Sequence, residues 1–305
     1  MIIRTLLAIA LSWMLLSTAA LAENGLEQFE REVKPQLQLQ TFTYKDAEAL
    51  GNEGFVLHDV VAVMPPNHAM GDQERTLKID KVTVEALDFE RVNGNTDDAP
   101  RFAKLKLEGM TGDDDTLTLL DPYGIPRVPM DVTLDYRLDG ATKVFTLNTL
   151  DIALRGQGKI SLSLVIDGVS DKASEAGDAR DKGRLRTASL TVDDHGLLAK
   201  LLPAVAKKQG QNAEALTALA LVSIAAYTEG QGAPTLKALD SVASFVGDWQ
   251  APKGPLVLAL APAQTAKMAD LDKVMQPNAL VDIFGLSASY PGTRDGAAKA
   301  GPSVK

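Results

Sequence analysis

The chain contains no cysteine. This absence excludes disulfide bonds, a thiol nucleophile and every zinc site built on thiolates. Histidine is nearly as scarce: His58, His68 and His195 match neither an HxxxH nor an HExxH spacing. A metal centre would have to be assembled from distant segments, and we expect neither a metal nor a cofactor.

Motifs for covalent or phosphate chemistry are also lacking. There is no Gly-x-Ser-x-Gly element and no glycine-rich phosphate loop, and residues 285–289 lack the final glycine of the former. The acidic stretches 93–98 and 113–115 lack the glycine and terminal glutamate of a calcium-binding EF-hand loop, which favours solvated turns. His195 follows two aspartates at the expected start of a helix, which favours a solvent-facing residue. We predict that the protein is not an enzyme; a hydrolase with a scattered site around His195 is the weaker alternative.

The chain has no excess of positive charge. Lysine and arginine number 31 against 40 aspartates and glutamates, so the formal net charge is -9. Without a basic stripe, nucleic acid is not an expected partner, and electrostatic docking on anionic lipid is disfavoured. Apolar contact with lipid is compatible with this charge.

Residues 1–22 have the layout of a cleavable export signal. Arg4 precedes an apolar stretch over residues 6–16, and the small-residue ending Ala20-Leu21-Ala22 comes before Glu23. The apolar stretch is shorter than the roughly 20 residues that a membrane-spanning helix requires. We expect cleavage before Glu23, no transmembrane span in the mature protein, and a location in the periplasm.

Apolar residues that alternate with polar ones dominate the centre of the chain. Residues 130–138 and 160–166 each place every second side chain on one apolar face, which predicts half-buried strands. Between them, residues 143–155 change phase, so we expect a β-bulge near Asn148 and Thr149. Such a sheet must be covered on its apolar face.

The pattern becomes helical after residue 193. Asp193 or Asp194 should cap a first helix that Pro203 kinks or restarts, and Asn212 should cap a second. The second helix is apolar around most of its circumference over residues 216–227, which predicts burial on several sides. Residues 256–261 and 286–290 read as strands that return to the sheet.

These patterns predict an α+β fold, in which a curved antiparallel β-sheet of many strands is covered by a C-terminal group of helices. A short helix over residues 23–34 should open the mature chain. The expected regions are a signal peptide (1–22), a mainly antiparallel β region (23–192), a helical region with two returning strands (193–291) and a disordered tail (292–305).

The strand phrases beginning Tyr136-Arg-Leu-Asp-Gly and Ala188-Ser-Leu-Thr-Val resemble uncharacterised exported proteins of Gram-negative bacteria. They are also similar to AsmA-like envelope proteins, whose extended sheets are associated with lipid handling. The resemblance covers residues 117–209. It implies a periplasmic protein of the cell envelope, and it implies no particular site residue.

The remaining functional signal is apolar surface. We expect a non-enzymatic protein that binds an apolar, lipid-like ligand or an envelope component, in a groove lined by Leu150, Ile152, Leu162, Leu164, Leu219 and Val222. The same side chains could instead form a filled core, since sequence does not separate the two. The alternative function is a structural or assembly factor that acts through protein contacts in the envelope.

Overall fold

The structure is a computed structural model that describes residues 23–66, 74–92, 98–112, 125, 127–172, 174–175 and 179–292. The predicted signal peptide, nearly all of the predicted tail, His68 and the acidic stretch 113–115 lie outside these residues.

One antiparallel sheet contains the twelve strands of the described chain, ordered β1-β3-β4-β5-β6-β7-β8-β9-β10-β12, with β2 beside β3 and β11 beside β9. The strands are β1 (Thr41–Thr43), β2 (Asp46–Leu50), β3 (Gly54–Met64), β4 (Arg75–Leu87), β5 (Phe102–Gly112), β6 (Met130–Asp139), β7 (Val144–Leu154), β8 (Gly158–Asp167), β9 (Arg184–Asp194), β10 (Leu256–Leu260), β11 (Ala266–Lys267) and β12 (Leu286–Ser289). The predicted α+β fold on a curved antiparallel sheet is confirmed.

Most of the helices lie in the C-terminal half. They are α1 (Gly25–Gln28), α2 (Phe89–Val92), α3 (Ala179–Lys182), α4 (Leu197–Lys208), α5 (Ala213–Tyr227), α6 (Ala233–Gly247) and α7 (Ala279–Asp282). The chain after α1 continues through a π turn (Phe29–Val33) and a 3₁₀ turn (Lys34–Gln36), and a further 3₁₀ segment spans Met268–Lys273.

The strand register places apolar residues opposite one another across the sheet. Leu105 on β5 pairs with Leu134 on β6, which pairs with Leu150 on β7. The row continues through Leu162 on β8 to Leu190 on β9. Directly paired residues share a face of an antiparallel sheet. This row of leucines therefore runs along one continuous apolar face.

A bulge keeps that face intact where the sequence of β7 changes phase. Leu147 pairs with Leu164 and Leu150 pairs with Leu162, and the register shifts between Leu147 and Leu150. The extra residue returns Leu147 to the same face as Leu150. The bulge predicted near Asn148 is confirmed.

The N-terminal helical segment and α2 cover one end of the apolar face. Phe29 and Phe89 belong to a buried cluster with Phe55, Leu57 and neighbouring residues of β3 and β4. The rings of Phe29 and Phe55 stack with centroids 4.5 Å apart. Gly25 permits the close approach of α1, because a Cβ atom there would lie 2.5 Å from the Gly54 nitrogen.

A second cluster covers the opposite end. Phe284, which is fully buried, packs with Leu185 and Ala266. Half-buried side chains from the 268–283 segment and from Ile166, Ala188 and Leu260 surround them. The chain between β11 and β12 therefore supplies the cover here.

The helices α4 and α5 start at the predicted caps. The Asp194 carboxylate accepts hydrogen bonds from the backbone N–H groups of Leu197 and Leu198 at 2.8 and 3.1 Å. The Asn212 side chain accepts one from the Ala215 N–H at 2.7 Å. Helix α4 continues as one helix through Pro203, so the predicted restart does not occur.

This helical group meets the sheet at the β10–β12 end. Helix α6 runs beside β12, where the Ser241 hydroxyl donates to the Ala288 carbonyl oxygen at 3.3 Å. The ring of Phe245 contacts that of Tyr290 edge to face, with centroids 5.3 Å apart. Helix α5 packs mainly against α4 and α6. The predicted burial of α5 on several sides is wrong, because Leu219 and Val222 are 54% and 64% exposed.

Candidate functional site

Among the described residues, the part of the apolar face that neither cluster covers lies on β6, β7 and β8. We call it the central band, and it consists of six aliphatic side chains: Val132, Leu134, Leu150, Ile152, Ile160 and Leu162. Val132 pairs with Ile152, and Ile152 pairs with Ile160. Leu134, Leu150 and Leu162 form the next row. The band is therefore a patch two residues deep and three strands wide.

Exposure distinguishes the central band from the two ends of the face. Ile152 and Ile160 are 40% and 46% exposed, and the other four residues are half-buried. Neither buried cluster contains a residue of the central band. Leu105 and Leu107, the β5 partners of Leu134 and Val132, do pack against the first cluster. The band thus begins where that cover ends.

Three of the predicted lining residues, Leu150, Ile152 and Leu162, meet in the central band. Leu164 lies in the adjoining row, opposite the buried Leu147. Leu219 and Val222 lie on α5 among the helices, so the structure does not bring all six residues into one patch.

Sequence reasoning missed Val132, Leu134 and Ile160 as site residues. All three stood in the predicted strands, with the correct alternation. The pairing of β6 with β7 and of β7 with β8 puts them in the band, and alternation alone does not fix that register.

Charged residues of the same strands lie on the opposite face of the sheet and are paired with each other. The Arg155 guanidinium donates to the Asp131 carboxylate at 2.8 to 3.2 Å, and Lys159 Nζ lies 2.7 Å from Asp151 Oδ2. The hydrogen bonds from Arg155 lower the pKa of Asp131, and a further bond from the Gly109 N–H acts in the same direction. These ion pairs therefore lie behind the band, on the other side of the sheet.

An inter-helix groove forms a second apolar recess, of about 400 Å³, between α4, α5 and α6. It is lined by Leu198, Leu202, Leu216, Thr217, Leu219, Ala220, Ser223, Phe245, Val246 and Trp249. Leu219 therefore lines an apolar recess, but one separate from the strands of the central band.

A polar recess of about 490 Å³ lies at the turn between β6 and β7, where Arg91, Arg101 and Arg137 contribute to the lining. Arg91 is held by Asp171 at 3.0 Å. Arg101 donates to the buried Asp88 through Nε at 2.8 Å and Nη2 at 3.1 Å. Burial alone would raise the pKa of Asp88, but the hydrogen bonds from Arg101 outweigh it and lower that pKa. We assign this cluster to stability, since two of its arginines are already bound.

The two described histidines lie beside acidic neighbours. His58 Nε2 lies 3.6 Å from Glu48 Oε1, and His195 Nε2 lies 3.0 Å from Asp193 Oδ1. Over the residues that the structure describes, no three histidine or carboxylate side chains converge on a possible metal position. Within the same residues, no helix combines the length and apolar character needed to cross a membrane.

The fold and the central band define the class as an α+β protein with an extended antiparallel sheet and a partly uncovered apolar face. A protein-family model with the description "Uncharacterized protein" matches residues 151–291, from within β7 to just beyond β12. No curated protein matches the chain. The family match agrees with the predicted resemblance to uncharacterised proteins. The similarity to AsmA-like proteins stays a prediction.

Proposed function

We propose that this protein is a non-enzymatic lipid-binding protein of the periplasm, and that the central band holds the hydrocarbon chain of its ligand. The observation that carries the proposal is the exposure of Ile152 and Ile160 in the middle of a face whose two ends are buried. A soluble protein gains free energy by covering such a patch, at about 25 cal/mol per Å² of apolar area removed from water.

The chemistry of the band selects hydrocarbon. All six side chains are aliphatic and have no hydrogen-bonding group of their own. A polar ligand group placed on them would lose its bonds to water without replacement, which costs about 1–3 kcal/mol per group. An acyl chain loses no hydrogen bond in the same position.

The position of the charged residues indicates weak selection for the ligand's head group. Arg155 and Lys159 already have carboxylate partners at hydrogen-bonding distance. Asp131, Asp151 and Lys159 directly adjoin Val132, Ile152 and Ile160 in their strands, so these charges lie on the opposite face of the sheet from a chain bound on the band. We therefore expect binding to depend on chain length more than on head-group charge.

The location is proposed from the sequence. The layout of residues 1–22 supports export, and the resemblance of the strand phrases to exported envelope proteins supports the periplasm. Detection of the protein in periplasmic extracts, with an N-terminus at Glu23, would test this part.

Native mass spectrometry of the protein, after incubation with phosphatidylglycerol, tests the binding site. The wild-type protein should carry bound lipid, and the double variant Ile152→Gln/Ile160→Gln should lose roughly 90% of it, because two amide side chains would then lie against the acyl chain. The control Leu50→Gln also replaces an exposed aliphatic side chain, but on β2, and should bind normally.

Equal lipid loads on the wild-type protein and the double variant would exclude the central band as the site. A wild-type protein that takes up no lipid, but crosslinks in cells to one envelope protein through the band, would favour the assembly-factor alternative.

A further inference from the structure

The most exposed large apolar side chains of the described chain are grouped around α5. Val222 and Leu219 project from this helix, and Met275 is 78% exposed. The Tyr227 hydroxyl donates to the Val274 carbonyl oxygen at 2.8 Å, which ties the segment that carries Met275 to the C-terminal end of α5. We call the exposed side chains of Leu219, Val222 and Met275 the α5 surface.

The charge distribution of α5 is unusual for an exposed helix. Glu214 is its single charged residue across 15 residues, and the exposed positions after it are alanine, leucine, valine and serine. An exposed helix in water normally carries charged residues on its outer face. At 1.5 Å per residue the helix is about 22 Å long, which is too short to cross a hydrocarbon layer of about 30 Å.

The neighbouring helix supplies positive charge. Lys207 and Lys208 are exposed on α4, which packs against α5. Lys200 on the same helix instead donates to the side-chain oxygen of Gln157, at the turn between β7 and β8. Residues 195–247 contain four lysines and three acidic residues, whereas the whole chain has a net charge of -9. This part of the molecule therefore has a slight excess of positive charge. An anionic surface does not repel it, although the net charge of the whole chain is negative.

An apolar recess lies beside Leu219. Leu219 also lines the inter-helix groove, whose inner wall includes the buried Phe245 and Trp249. An apolar chain that enters beside Leu219 would meet these aromatic rings. The α5 surface thus combines an exposed apolar helix, flanking lysines and an apolar recess.

From these features we propose that the α5 surface docks on the interface of a phospholipid bilayer. The apolar face of α5 lies in the plane of the interface, Lys207 and Lys208 contact anionic head groups, and the groove accepts part of one acyl chain. The helix does not span the bilayer. This docking is independent of ligand binding in the central band.

Vesicle flotation tests the proposal, with liposomes of phosphatidylethanolamine and phosphatidylglycerol. The mature chain that begins at Glu23 is used, and Trp249 is its single tryptophan. Vesicles with brominated acyl chains should quench the Trp249 fluorescence. In the same background, Leu219→Gln/Val222→Gln should weaken vesicle binding roughly tenfold or more and abolish the quenching.

Three further variants test whether vesicle binding is specific to the α5 surface. Leu50→Gln removes an exposed leucine elsewhere and should bind vesicles normally. Lys207→Gln should reduce binding to anionic vesicles more than to vesicles of phosphatidylcholine. Ile152→Gln/Ile160→Gln should still dock, which separates this proposal from the lipid site on the sheet.

The proposal is overturned if the Leu219→Gln/Val222→Gln variant binds vesicles and shows quenching like its parent. It is also overturned if the parent ignores vesicles but forms a dimer that this variant cannot form, since a second copy would then be the occupant.

Discussion

The two ends of the apolar face and its central band have the same kind of side chain but opposite environments. At the ends, Phe29 and Phe284 are buried against the sheet by helical segments from the two termini of the described chain. In the middle, Ile152 and Ile160 face outward with no residue of either cluster over them. Both regions have apolar side chains, and they differ in whether helical segments cover them.

The two ends of the apolar face and the central band should therefore differ in how much they stabilise the fold. Burial at the two ends contributes to folding, because those contacts exist only in the folded chain. The central band contributes less to folding, and its exposed area remains available to a ligand. The comparison can be tested by substitutions whose effects on unfolding free energy differ in size.

The largest effect is expected at Phe284, which has no exposed surface. Phe284→Ala should lower the free energy of unfolding by about 3–5 kcal/mol, because it removes a buried ring and leaves a cavity in the second cluster. Urea denaturation followed by circular dichroism measures the change. A loss below about 1 kcal/mol would show that this end of the face is not a packed core.

An intermediate effect is expected at Asp88, where Arg101 and the Arg101 backbone N–H bind a carboxylate that is 2% exposed. Asp88→Asn should cost about 2 kcal/mol near neutral pH, because charge-assisted hydrogen bonds are lost.

The pH dependence at Asp88 has a definite sign. Its pKa is lowered in the folded state, so its contribution is complete above the ordinary value of 3.8 and is lost as the pH falls through the folded value. The variant should therefore lose less stability than the wild-type protein between neutral and strongly acidic pH. Parallel acid unfolding curves for the two proteins would contradict this account.

The smallest effect is expected in the central band. Ile152→Ala and Ile160→Ala should each lower the free energy of unfolding by about 1 kcal/mol or less, because nearly half of each side chain is already in water. The same urea titration used for Phe284→Ala provides the measurement. A cost comparable to that of Phe284→Ala would show that the band is part of a filled core.

Local patterns predicted the local structure well. The alternation of residues 130–138, the bulge near Asn148 and the caps at Asp194 and Asn212 are each fixed by a few neighbouring residues, and the structure contains all of them. Strand phase and helix capping depend on short-range hydrogen bonding, which the sequence displays directly.

The covering of apolar surfaces was harder to predict. Helix α5 is apolar enough for a buried helix, yet it packs at the end of the molecule with Val222 exposed. Phe29 lies on a short segment with few apolar residues, yet it helps to bury one end of the sheet. The surface against which an apolar helix packs depends on the path of the chain and on contacts with distant residues. The periodicity of the local sequence reports neither of these.

The site was predictable in part for the same reason. Leu150, Ile152 and Leu162 were found from alternation, because each lies on the correct face of its strand. Their assembly with Val132, Leu134 and Ile160 depends on the register of three strands. The prediction that Leu219 and Val222 line the same groove assumed that α5 covers the band. Helix α5 packs mainly against other helices instead.

Photocrosslinking with a phospholipid that carries a diazirine on its acyl chain tests the central claim most directly. After irradiation and proteolysis, the adducts should map to peptides from β6, β7 and β8, with Ile152 and Ile160 among the labelled residues. Adducts confined to the helical peptides, or spread evenly over the chain, would contradict the assignment of the lipid site to the sheet.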